Sequence, residues 1–170
     1  MAPRMRPEEI VIVVITVSDR ASNGTYVDES GPAAIDTLAT SGFTDVALRV
    51  IPDGRAAVAD ALRDAVDGGA RVILTLGGTG LGPRDETPEG TRAVITAEVP
   101  GVAEALRARG LQATPTAALS RAVAGVVTTG SHRAFVANLP GSPRAVTESL
   151  EVLTPLLGHI ASQLAGGDHG

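Results

Sequence analysis

Val11-Ile-Val-Val-Ile-Thr-Val17 is an unbroken β-branched run. Side chains of this kind fill both faces of a pleated strand, so the segment belongs in a sheet that is covered on both sides. Val72-Ile-Leu-Thr-Leu76 repeats the pattern. Between the two runs lies a segment of helical period. Val58, Ala61, Leu62, Ala65 and Val66 fall on one face, Asp60, Arg63, Asp64 and Asp67 on the other, and Gly68-Gly69 ends it. Buried strands that alternate with amphipathic crossover helices dictate an α/β fold.

The other segments extend this pattern. The sequence predicts a helix from about Gly31 to Ala39, a strand at Val46–Ile51, and helices at Pro88–Ala97 and Val102–Arg109 divided by Pro100-Gly101. Val123–Val127 and Ala134–Leu139 read as strands joined by the turn Thr129-Gly-Ser-His132. Such spacing makes an antiparallel hairpin, so the sheet is expected to be mixed and mostly parallel. Ser142 as N-cap and Pro143 at the first helical position open a last helix. Val146, Leu150, Leu153, Leu157, Ile160 and Leu164 form its apolar stripe, and Pro155 is expected to kink or split it near Thr154. Met1–Glu9 and Gly166–Gly170 read as frayed ends. The expected organisation is one domain with its core at about residues 11–164.

Composition excludes several functions. No cysteine is present, which removes thiolate metal sites and a cysteine nucleophile. His132, His159 and His169 do not pair at zinc-ligand spacing, and no function is assigned to His132 in its turn. Ser18 and Ser120 have no histidine placed for a triad, which argues against a serine hydrolase. The net charge is −5 with scattered arginines, and only three aromatic rings are available, so nucleic acid is not an expected partner. No apolar run reaches membrane-spanning length and no signal-peptide core is visible, so a cytoplasmic location is expected.

The second buried run empties into Gly77-Gly-Thr-Gly-Leu-Gly-Pro-Arg-Asp-Glu-Thr-Pro88. A glycine-rich loop between a strand and a helix lets backbone N–H groups approach an anion closely. It is no Walker loop, because all fourteen basic residues are arginine, and the glycine spacing is not the dinucleotide GxGxxG pattern. Other polar candidates also stand where strands end: Ser18-Asp19-Arg20, Asp53-Gly54, Arg84-Asp85 and Asn138-Leu-Pro140-Gly141-Ser142. Parallel strands would bring these loops to one edge. Asp53 can be a helix cap or a ligand, Asp85 a cap, a partner of Arg84 or a ligand, and Asp19 a turn former or a ligand. Together Asp53 and Asp85 suit Mg²⁺ beside substrate phosphates, an inventory for phosphoryl or nucleotidyl transfer.

An ordered series of motifs resembles the MogA/MoaB molybdenum-cofactor biosynthesis family, on its adenylyltransferase side, over about Val11–Leu164. It comprises Thr16-Val-Ser-Asp19, Asp28-Glu-Ser-Gly31, Ile51-Pro-Asp53, Leu74-Thr-Leu-Gly-Gly-Thr-Gly80 with Pro83-Arg-Asp85 and Thr87-Pro-Glu89, Val99-Pro-Gly101, Leu119-Ser-Arg121 and Asn138-Leu-Pro-Gly141. The resemblance implies a three-layer α/β/α sandwich and Mg²⁺-dependent transfer of AMP from ATP to the terminal phosphate of molybdopterin, with release of pyrophosphate. It implies catalytic and metal-binding roles for Asp53 and Asp85, and a ligand cleft lined by Gly77, Gly78, Thr79 and Gly80. Ser18, Asp19, Arg84, Ser120, Arg121, Pro140, Gly141 and Ser142 complete the implied binding set, with Ser120, Gly141 and Ser142 on the pterin and its phosphate. A homotrimer or hexamer and a downstream molybdate-insertion partner are also implied. The alternative within the family is a MoaB-type protein that binds molybdopterin without turnover. Three features depart from the family's usual pattern: Gly90 for alanine, Arg144 for lysine and a slightly long hairpin at Thr128–Arg133.

Overall fold

The structure, a computed structural model, describes residues 4–166. One sheet carries six strands: β1 (Ile12–Val17), β2 (Val46–Ile51), β3 (Val72–Leu76), β4 (Ala97–Glu98), β5 (Ala124–Thr129) and β6 (His132–Leu139). Their spatial order is β2-β1-β3-β6-β5-β4. The first four in that order run parallel, while β5 is antiparallel to both β6 and β4. The α/β sandwich with a mixed sheet is therefore present as expected. The helices are α1 (Asp19–Ser22), α2 (Ser30–Thr40), α3 (Arg55–Asp67), α4 (Thr87–Arg92), α5 (Pro100–Leu111) and α6 (Pro143–Leu164), with short 3-10 turns at Pro7–Glu9 and Pro115–Leu119.

Strand alternation divides the core into two layers. Ile12 and Val14, Leu74 and Leu76, and Phe135 and Leu139 face α2, α5 and α6 through Leu38, Leu106, Leu150 and Leu153. Val13 and Ile15, Ile73, and Ala134 and Val136 face α3 through Val58, Leu62 and Val66. This two-sided burial is what the unbroken apolar runs require.

Three local expectations are corrected. The helix expected at Pro88–Ala97 stops at Arg92, and Ala97–Glu98 pairs with β5 instead. Val94-Ile95-Thr96 is β-branched, and the Thr96 N–H donates to the Val126 carbonyl at 2.7 Å. Gly125 opposite makes the pairing feasible, because a Cβ there would lie 2.5 Å from the Ala97 carbonyl oxygen. Pro155 does not split α6, which is continuous over Pro143–Leu164. The carbonyl it leaves without an N–H, that of Glu151, belongs to an exposed residue, where water can serve it. The N-terminal segment is also docked from Arg4 onward: the Met5 N–H donates to Ser162 Oγ at 2.6 Å, and Ile10 is fully buried. The remainder of both expected frayed ends, residues 1–3 and 167–170, lies outside the described residues.

Candidate active site

The C-terminal ends of the parallel strands β1, β2, β3 and β6 meet on one edge, where open α/β sheets hold ligands. The chain leaves β3 through Gly77 (φ 97°) and Gly78 (φ 68°), a left-handed pair that turns it sharply off the strand. A Cβ on Gly77 would lie 2.7 Å from the Val17 carbonyl oxygen, and one on Gly78 would strike Thr87 Oγ1 at 2.2 Å. The loop therefore packs directly on the end of β1 and on the first turn of α4.

Four carboxylates, those of Asp19, Asp28, Asp53 and Asp85, line a cavity of about 570 Å³ together with Gly77, Gly78 and Ser142. Asp19 and Asp53 accept each other's backbone N–H. Arg84 forms a fork on Asp19, Nε to Oδ2 at 3.0 Å and Nη2 to Oδ1 at 3.1 Å, and donates to the Asp53 carbonyl at 2.9 Å. The Arg84 hydrogen bonds hold the Asp19 carboxyl below the usual carboxylate range. Asp53 is shifted the other way: burial pushes its pKa up, and the charges of Asp19 and Asp85 push further, against the Asp19 N–H and Arg84.

Asp53 does not cap α3, whose N-cap is Gly54; Glu86 Oε2 instead accepts the Arg55 N–H at 3.0 Å. Asp85 neither caps α4 nor pairs with Arg84: its Oδ2 accepts the Gly82 N–H at 2.9 Å and tightens its own loop. Asp19 starts the short helix α1, capped by Ser18, whose Oγ accepts the Ala21 N–H at 3.2 Å. Ser142 caps α6 through the Ala145 N–H.

Arg121, expected in the binding set, braces the loop. Its backbone N–H donates to the Thr79 carbonyl, Nε to the Gly80 carbonyl at 2.8 Å, and Nη2 to the Asp85 carbonyl, while Glu89 receives Nη1. The Arg121 partner in turn holds the Glu89 carboxyl below its ordinary range. Asn138, fully buried at the end of β6, ties the same region together: its Nδ2 donates to Thr75 and Thr91 Oγ1, and its Oδ1 accepts the Val123 N–H.

A second cavity, of about 310 Å³ and mostly apolar, lies between α5, the Pro115–Leu119 turn and the start of α6. Thr79, Gly80, Ser120 and Pro140 line it, and Gly141 and Ser142 line both cavities. Most of the expected site residues thus line one of two neighbouring cavities that share Gly141 and Ser142 at the N-terminus of α6, while Arg84 and Arg121 line neither and bind the residues around them.

Sequence reading did not single out Asp28, Ser30 or Glu89 as site residues. Asp28 accepts the Thr16 hydroxyl at 2.8 Å, and Ser30 Oγ donates to the Gly141 carbonyl. Their signal lay in the short blocks that follow those of Asp19 and Asp85, but their partners are remote in sequence.

The donor set suits a hard divalent cation. Asp53 Oδ1 is turned toward Gly78, 3.3 Å from where its Cβ would be, and crowding by Asp19 and Asp85 favours a neighbouring positive charge. Among the described residues no three His, Cys, Asp or Glu side chains converge as a closed metal cage. Two carboxylates that leave positions for phosphate and water match Mg²⁺ chemistry.

A glycine-rich loop flanked by carboxylates at the switch of an open α/β sheet is the arrangement in which α/β proteins hold phosphate-bearing ligands. The chain belongs to the family described as probable molybdopterin binding domain, which matches residues 13–159. It is 41% identical to a molybdenum cofactor biosynthesis bifunctional protein of Synechococcus elongatus over its whole length, yet spans only 52% of that protein. It is 40% identical to the molybdopterin adenylyltransferase of Escherichia coli K12, covering 88% of this chain and 76% of that enzyme. The crystal structure of the molybdopterin biosynthesis enzyme MoaB from Thermus thermophilus superposes with a TM-score of 0.82 at 43% identity, covering 92% of this chain and 97% of that one.

Proposed function

We propose that this chain is a molybdopterin adenylyltransferase, acting in molybdenum cofactor biosynthesis as a nucleotidyltransferase. The observation that carries the reading is the shared wall of Gly141 and Ser142, which lines both the apolar cavity and the carboxylate-lined one. A pterin fits an apolar chamber, a triphosphate fits a glycine loop, and the reacting phosphate has to lie where the two meet.

In this reading the molybdopterin ring occupies the smaller cavity beside Ser120, with its terminal phosphate at the N-terminus of α6. ATP lies in the larger cavity along Gly77–Gly80. A terminal phosphate oxygen attacks the α-phosphorus of ATP, a new P–O bond forms, and the bond to the β-phosphate oxygen breaks to release pyrophosphate. Asp53 and Asp85 would hold Mg²⁺, which supplies charge neutralisation for the triphosphate. In this reading Arg84 exchanges Asp19 for a phosphate oxygen, and the brace from Arg121 keeps Asp85 in position. Catalysis is then positioning and charge stabilisation.

The same reading includes a single functional domain, a cytoplasmic location and delivery of the product to a molybdate-insertion partner. Among the described residues no helix is long and apolar enough to cross a membrane. It also includes a homotrimer or hexamer, for which the exposed Leu48 and Val50 on edge strand β2 offer apolar surface.

The test is pyrophosphate release from Mg-ATP with and without molybdopterin, beside Asp85→Asn. Release that requires molybdopterin and disappears in the variant is the expected result. Tight molybdopterin binding with no release would identify a MoaB-type binding protein instead.

A further inference from the structure

The chain has three aromatic rings, and two of them, Phe43 and Phe135, are sealed in the core. The third, Tyr26, is 49% exposed and stands on the rim of the carboxylate-lined cavity. Arg20, which lines the same cavity, places its guanidinium carbon over the Tyr26 ring, 5.0 Å from the centroid. A flat, electron-rich ring backed by a planar cation is a stacking surface.

The platform is preorganised. The Thr25 and Tyr26 N–H groups both donate to the Arg20 carbonyl, at 3.0 and 3.1 Å. Asn23 Oδ1 accepts from the Thr25 N–H and hydroxyl, and α1 anchors the segment to Ser18 at the end of β1. The backbone that carries the ring is therefore held relative to Asp19 and the end of β1, and little backbone ordering entropy is lost when a ligand stacks on it.

We propose that the Tyr26–Arg20 pair is the base platform of the nucleotide site: the purine ring of ATP stacks on it while the triphosphate runs toward Gly77, Gly78 and the aspartates. The inference rests on the reading of this cavity as the ATP site. Stacking reads a π-face and not a base edge, so the platform accepts any purine, and selection of adenine over guanine does not come from it.

Because Tyr26 is the only tyrosine, protein labelled with ¹³C in the tyrosine ring gives one set of ring signals. Mg-ATP and Mg-GTP are expected to shift that set upfield by ring current, and Mg-tripolyphosphate, which has no base, to bind without doing so. Tyr26→Ala is expected to weaken Mg-ATP binding about tenfold and leave tripolyphosphate unchanged, whereas Tyr26→Phe retains the affinity. The side chain is half exposed, so both variants are expected to fold, and an unchanged melting temperature checks this. ATP and tripolyphosphate binding without a ring shift, and equally in wild type and Tyr26→Ala, would overturn the platform and leave the ATP site intact. Failure of both ligands to bind would overturn the platform together with the ATP site itself.

Discussion

The Asp19 N–H donates to Asp53 Oδ2 at 2.9 Å, and the Asp53 N–H donates to Asp19 Oδ1 at 3.1 Å. This reciprocal pair laces the loop after β1 to the loop after β2 across 34 residues of sequence. It also sets two carboxylates against each other. Arg84 offsets one of them, while burial and the neighbouring charges push the Asp53 pKa up. Function and stability are expected to diverge at such a position.

Asp53→Asn tests that divergence. The amide keeps an acceptor for the Asp19 N–H and removes the repulsion with Asp19 and Asp85. Thermal unfolding at neutral pH is expected to be unchanged or slightly improved, while pyrophosphate release falls by about two orders of magnitude or more. A variant that loses stability and keeps its rate would contradict both halves.

Arg121→Lys keeps the charge but loses the planar fork that reaches Gly80, Asp85 and Glu89 together. Loss of two or three charge-assisted bonds at a partly exposed site is expected to cost about 1–2 kcal/mol, measured by denaturant titration. With Asp85 less well held, kcat is expected to fall more than molybdopterin affinity. A large loss of affinity at unchanged kcat would place Arg121 on the ligand.

Glu89 gives the pH dependence a definite sign. Its folded pKa is lowered by Arg121, so its stabilisation is complete above the ordinary glutamate range and is lost as pH falls through the depressed folded value. Wild type is therefore expected to be more stable than Glu89→Gln at neutral pH, and the gap to close on acidification below pH of about 4. Paired melting curves across that range measure it. A gap that widens toward acid would refute the assigned ion pair.

Gly78→Ala combines two penalties: a left-handed φ of 68°, and a Cβ 2.2 Å from the buried Thr87 hydroxyl. A loss of about 2 kcal/mol or more is expected by chemical denaturation. The lost rate is expected not to return on raising ATP, because the backbone path of the loop changes and not only its affinity.

Much of the architecture is visible in short windows of sequence, because those elements are decided locally. The β-branched run of β1, the apolar run of β3, the stripe of α3 and the Ser142-Pro143 start of α6 each carry their own period or cap within a few residues. The glycine loop and the strand-end aspartates were legible for the same reason. What the chain could not announce locally is which charge meets which. Arg84 reaches Asp19 across 65 residues and bypasses its neighbour Asp85, and Arg121 reaches back 32 residues to Glu89. β4 was hidden too, since a two-residue strand exists only because β5 offers it an edge with a glycine opposite. Local propensity and pattern determined the layers and the edge where the strand-end loops gather. Long side chains have several partners in reach, and only tertiary packing, by bringing the strand ends together, decided that Arg121 is a brace, that Asp53 is crowded, and that two cavities share one wall.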